Sequence, residues 1–186
     1  MNRRLFLREK TKYAHMALEG LIGPFESAPD YHRYLQGMHR FRLPVEGWIS
    51  GLTWPTVFGA WRPAMIGAAL TADMEDIGLK PPARGDDWEA ATDLDTIFGT
   101  LYVLEGSMLG AQLLLKQARH RGLSESSGAR HLALQTSTPA NWRTFLMLLE
   151  ESAQLNVDKA ANAANRAFGS ARAAFLPATT SSRQGI

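Results

Sequence analysis

His15 stands in the segment LREKTKYAHMALEG, seven residues after Arg8 and four before Glu19. On a helix turning about 100° per residue, these three side chains fall close to one face. The strip carries an imidazole, a carboxylate able to hold the second ring nitrogen, and a cation. A histidine that ligates a metal usually has such an acceptor, which fixes its tautomer and ring orientation. The same residues also suit a solvated helix face laced with charges, and this segment alone leaves both readings open. His32 and His39 share a face but lie roughly 10 Å apart along a helix, too far for one metal, and read as surface residues. His120 and His131 show no comparable arrangement.

A second constellation lies in GTLYVLEGSMLGAQ, where Gly99, Gly106 and Gly110 share one helical face. Each interior glycine costs about 0.8–1 kcal/mol relative to alanine, so three together imply a need for the space. Either another helix packs into a groove of small residues, or a flat ligand lies against bare backbone.

The elements that must position these residues follow from apolar spacings of three and four, which predict an all-α chain. Helices are expected over Arg3–Glu19, stopped at Gly20, and from Pro29-Asp30 to Ile49. A third segment opens at Trp54-Pro55, is kinked or restarted by Pro63 and ends near Gly78. Lys80-Pro81-Pro82-Ala83-Arg84-Gly85-Asp86 reads as a loop. The longest helix is expected from Asp93 to Arg121, followed by helices over Pro139–Ala153 and from an Asn156 N-cap to Leu176. Residues 1–176 form one expected helical domain, and 177–186, rich in Ser, Thr and Ala, an expected disordered tail. There is no internal repeat.

Composition narrows the chemistry. The chain has 186 residues, 45% of them hydrophobic, enough for one core. It has no cysteine, which excludes disulfides, thiolate metal sites, cysteine nucleophiles and iron–sulfur clusters. Net charge is +2 with scattered arginines, not the clustered footprint of a nucleic-acid binder. No uninterrupted apolar run reaches the length of a membrane span, and Arg8, Glu9 and Lys10 interrupt any leader-like segment. A cytoplasmic location without membrane attachment is expected.

LREKTKYAH with its following Glu19 resembles the proximal helix of haem oxygenases, and YVLEGSMLGAQ resembles their distal helix, in the form of bacterial members often associated with phytochromes. The resemblance spans roughly residues 3–176, and Trp142-Arg143-Thr144-Phe145 and the Phe168/Phe175 pair look like the family's late helices. It implies a single-domain haem oxygenase-like bundle in which His15 is the axial iron ligand and Glu19 its hydrogen-bond partner. It implies that Gly106 and Gly110 bring distal backbone close to the reacting centre and that Ser107 supplies a proton there. Arg8 and Arg143 match positions that pair with the haem propionates, and Tyr102, Phe168 and Phe175 match positions that line the haem. Arginine binds carboxylates bidentately and porphyrin faces favour apolar surface, which agrees with these types.

The implied reaction uses haem as substrate and cofactor, with O2, and yields biliverdin, carbon monoxide and ferrous iron. No GxGxxG fingerprint is present, so electrons are expected from a separate ferredoxin or reductase, and a bacteriophytochrome is an expected acceptor of the biliverdin. Ser107 stands where many family members have aspartate, and Ala111 where a third clustered glycine is frequent. A haem carrier or sensor without turnover, and a purely structural interaction protein, are the competing readings. A di-iron carboxylate protein is disfavoured because no histidine has glutamate three residues before it.

Overall fold

The computed structural model describes residues 2–82 and 88–176. Most of the expected 80–86 loop and the whole expected tail, 177–186, therefore lie outside the described residues. In chain order the elements are α1 (Arg3–Ile22), α2 (Ala28–Ser50), a single 3-10 turn (Thr56–Phe58), α3 (Gly67–Asp76), α4 (Leu94–Gly106), α5 (Met108–His120), α6 (Arg130–Thr136), α7 (Pro139–Glu151) and α8 (Val157–Phe175). Among the described residues the only β pairing is two isolated bridges at Ser124.

Helix ends follow capping chemistry. Asn2 accepts from the Leu5 N–H at the start of α1, and Ser27 with Asp30 forms a reciprocal capping box on α2. Gly20 does not stop α1; the helix runs to Ile22 and ends where Gly23 takes a positive φ of 62°. The expected third helix is largely a strap. Residues 51–66 hold only the 3-10 turn, and α3 begins beyond Pro63 at Gly67. Proline supplies no N–H, and α2 side chains satisfy the strap's backbone instead. Arg42 donates to the Ala64 carbonyl at 2.6 Å, while Glu46 accepts from the Ile66 and Gly67 N–H groups at 2.9 and 2.8 Å. Arg42 and Glu46 are themselves paired at 2.8 Å and buried.

The expected long helix is interrupted at Ser107, which separates α4 from α5, and the apolar pattern gives no sign of α6. Leu94–His120 is apolar and long enough to cross a membrane by composition, but 56% of its apolar window is buried inside the protein, as for a core helix.

Helix α8 is the floor on which α1, α2 and α4 pack. Its inward face is built from Ala160, Ala161, Ala163, Ala164, Ala167 and Ala171, all buried, so neighbouring backbones can come close. Gly99 of α4 uses that closeness: a Cβ there would collide with the Ala160 carbonyl oxygen and lie 2.7 Å from Ala163 Cβ. Aromatic contacts then tie the strap to the bundle, with Phe58 at 4.7 Å from Phe98 and Phe98 at 5.9 Å from Phe145 between ring centroids. A second core holds a buried polar network in which His131 Nδ1 lies 2.6 Å from Asp73 and Nε2 lies 3.2 Å from the Tyr34 hydroxyl. Burial pushes the His131 imidazole below its usual value against the pull of Asp73. His39 is also buried, against the surface position expected for it.

Gly99→Ala should destabilise the protein by about 1–3 kcal/mol despite alanine's better helix propensity, because the added methyl meets backbone. Urea unfolding of the wild type and variant measures this; equal midpoints would show that α4 and α8 can separate freely.

Candidate active site

Helices α1 and α4 share the α8 floor, and Tyr102 links them. Burial pushes the Tyr102 phenol up, while the Thr11 hydroxyl and the Arg4 and Arg8 cations of α1 oppose that. Thr11 lies one turn before His15, and Tyr102 one turn before Gly106, so the contact sits beside both constellations.

His15 projects from α1 with its side chain 54% exposed. Its Nδ1 lies 3.5 Å from Glu19 Oε2, and its ring meets the edge of Phe168 from α8 at 5.7 Å between centroids. Nε2 has no hydrogen-bond partner among the described residues, so one nitrogen is held near a carboxylate and the other is available. Met16 beside it is 56% exposed.

The three glycines divide. Gly99 serves helix packing, so it is not part of a ligand cradle. A Cβ on Gly110 would meet nothing within 4 Å, and one on Gly106 would find only the Trp142 ring, at 3.5 Å, an ordinary contact. The protein's own packing therefore requires glycine at neither position. Leu109 and Leu113, at 55% and 60% exposure, lie on the same strip as Gly106 and Gly110. Large apolar side chains beside bare backbone make a surface suited to a flat, apolar ligand.

Ser107 sits at the break. Its hydroxyl donates to the Leu104 carbonyl and accepts from Gln135 Nε2, so its proton is committed to the chain. The residue works here as the pin of the break, an arrangement the helix pattern does not reveal. Behind that pin, Glu105 is buried and accepts from the Ala64 N–H and from Asn141 Nδ2, each at 2.9 Å. Burial pushes its carboxyl up, partly opposed by those two donors. Sequence reasoning passes over Glu105, although one acid inside the apolar run YVLEG is a visible signal.

The remaining expected residues are dispersed. Arg8 is exposed on α1 with no carboxylate partner among the described residues, and Arg143 is exposed on α7, next to Trp142. Tyr102 lies 5.9 Å from Trp142 between ring centroids. Phe168 stands beside His15. Phe175 does not: it is buried in the second core, where a Cβ on Gly37 would meet its ring at 2.6 Å. It fills the notch left by Gly37, and it belongs to that packing rather than to the His15 site.

Comparison with known proteins decides the family. The chain is 33% identical over 171 residues to the heme oxygenase PigA of Pseudomonas aeruginosa, covering 86% of this chain and 85% of that one. The chain belongs to the haem oxygenase family. A heme oxygenase from Xanthomonas campestris is 29% identical over 133 residues, covering 68% of this chain and 76% of its own. The structure of the heme oxygenase from Neisseria meningitidis, solved in NO- and CO-bound forms, superposes with a TM-score of 0.75 at 26% identity, covering 100% of this chain and 98% of that one. A search against family models found no match. The all-α architecture is thus the haem oxygenase fold, and the protein is an oxidoreductase whose substrate is haem, opened to biliverdin.

On that footing the bare surface of Gly110 gives a sharp expectation. Gly110→Ala should leave the haem-free protein as stable as the wild type or more so, by up to about 1 kcal/mol, since nothing crowds the methyl. The same variant should turn over haem more slowly. Thermal melts of the haem-free protein with biliverdin formation followed by absorbance test both halves; undiminished turnover would show that haem does not approach this backbone.

Proposed function

We propose that this haem oxygenase grips haem between α1 and the α4–α5 break, with His15 Nε2 as the atom that would hold its iron. The observation that carries this reading is the pairing of an available imidazole nitrogen with a glycine-bearing strip whose bareness no protein neighbour requires. Bound haem supplies the redox-active iron at which O2 is reduced and the ring that is opened. The protein's part is placement. Glu19 beside Nδ1 favours the tautomer that leaves Nε2 as the ligating lone pair. The edge of Phe168 limits rotation of the imidazole. A neutral nitrogen ligand donates less electron density than a thiolate and so does not force O–O cleavage.

On the distal side, Gly106 and Gly110 let backbone approach where a side chain would stand off, and Leu109 and Leu113 exclude water from the ring face. Ser107 holds the break; it could pass a proton only after its hydroxyl leaves the Leu104 carbonyl. Arg8, without a carboxylate partner among the described residues, would meet a propionate, with Arg143 as a second cation and Tyr102 as lining. In this reading the electrons come from a separate ferredoxin or reductase in the cytoplasm, and a bacteriophytochrome receives the biliverdin.

His15→Ala should abolish biliverdin formation, and added imidazole should restore part of it by occupying the space left. Full activity of that variant without imidazole would reject His15 as the ligand. Arg8→Ala should weaken haem binding by about 1 kcal/mol, roughly fivefold, because the guanidinium is exposed and solvent screens it. A Soret titration measures the loss; an unchanged affinity would place the propionates elsewhere.

A further inference from the structure

Two acceptor oxygens on one buried carboxylate meet donors from two segments that are distant in sequence. Glu105 Oε1 takes the Ala64 N–H of the strap, and Oε2 takes Asn141 Nδ2 of α7. Asn141 is itself built in, since Nδ2 also reaches the Arg62 carbonyl at 3.2 Å and its backbone carbonyl accepts from Trp61 Nε1 at 3.2 Å. Gln135 of α6 adds a third tie, to Ser107. The end of α4 is therefore held from the strap, α6 and α7 together. A cavity of about 210 Å³ opens beside this knot, lined by Arg62, Glu105, Met108, Gln135, Asn141 and Trp142. Space of that size means the break is not fixed by close packing on this side, which leaves polar ties to define it.

Burying a carboxylate costs several kcal/mol before its partners compensate, and a leucine or methionine would fill this apolar turn at lower cost. The side chain points about 100° around the helix from Gly106, away from the bare strip. Its use lies in its geometry: an apolar side chain accepts neither donor, and an amide puts an NH2 where one of the two accepting oxygens stands.

We propose that Glu105 is a positioning residue for the haem reaction: it clamps the end of α4 to the strap and to α7, and so fixes the position of the Gly106–Gly110 backbone. This inference rests on the reading that those glycines face haem. The clamp itself is a property of the haem-free chain and can be measured without haem.

The test is a swap between Glu105 and Asn141 in the full chain. Glu105→Gln leaves one donor facing an NH2, and Asn141→Asp sets two carboxylates against each other. The double variant rebuilds the 105–141 pair with the polarity reversed: the amide introduced on α4 accepts from the Ala64 N–H and donates to the carboxylate introduced on α7, and only the weaker bond to the Arg62 carbonyl stays lost. Amide hydrogen exchange of the haem-free proteins is followed at Ser107 and Ala111, whose N–H groups bond to the Val103 and Ser107 carbonyls across the break. Each single variant should exchange about tenfold faster there, the size of one lost buried hydrogen bond, with α2 and α8 unaffected. The double variant should return to within about threefold of wild type.

With haem, kcat should fall in the single variants while haem Kd changes little, and the double variant should recover kcat. Asn141→Ala, which removes the donor to Glu105 and to the Arg62 carbonyl but leaves the Ala64 tie in place, stands in if Glu105→Gln does not fold. Unchanged exchange at Ser107 and Ala111, or equal acceleration in every helix, overturns the clamp. Local acceleration with unchanged kcat overturns its role in positioning. If wild-type protein failed to bind haem through His15, the exchange results would still decide the clamp, so the two failures are distinguishable.

Discussion

The approach of α4 to α8 at Gly99 is the contact from which the rest of the geometry follows. No side chain stands between the two backbones there: a single methyl would collide with the Ala160 carbonyl. The run of alanines along α8 extends this closeness and lets α1 rest on the same helix. His15 and the Gly106–Gly110 strip are thereby referred to one floor, with Phe168 of that floor touching the imidazole. If the floor were built of larger side chains, the two walls would stand on separate supports and their spacing would drift with each.

Polar ties do the rest, and they concentrate where helices stop. The Arg42–Glu46 pair holds the strap that replaces an expected helix, and Glu105, Gln135 and Asn141 hold the break that divides another. Each tie is shared between segments far apart in sequence. Such networks cost desolvation and in return select one arrangement of backbone over its close alternatives. In a site built on bare helix backbone, that selectivity would matter more than the last increment of stability.

Local features are legible in the sequence and long-range ones are not. The spacing of His15 and Glu19 is a property of one helix, and the structure returns it as a 3.5 Å contact. The all-α class and the ends of α7 and α8 follow from periodicity and capping residues. By contrast, Gly99 and Gly110 look alike on a helical wheel; only the partner helix distinguishes the first as packing and the second as bare surface. The resemblance assigns Phe175 to the site, but Gly37, far earlier in the chain, supplies the notch it fills. His131 carries no local mark because its partners, Asp73 and Tyr34, come from α3 and α2. Ser107 interrupts a run with good helical periodicity, and the residue that pins it, Gln135, comes from a helix that the pattern does not reveal.

Resonance Raman spectroscopy of the ferrous haem complex, with histidine nitrogen isotopically labelled, tests the central claim most directly. The account predicts an iron–nitrogen stretching band that shifts with the label in the wild type and is absent from His15→Ala but present in His32→Ala and His131→Ala. A labelled band that persists in His15→Ala would contradict it, because another histidine would then hold the iron and the glycine strip would face a haem bound elsewhere.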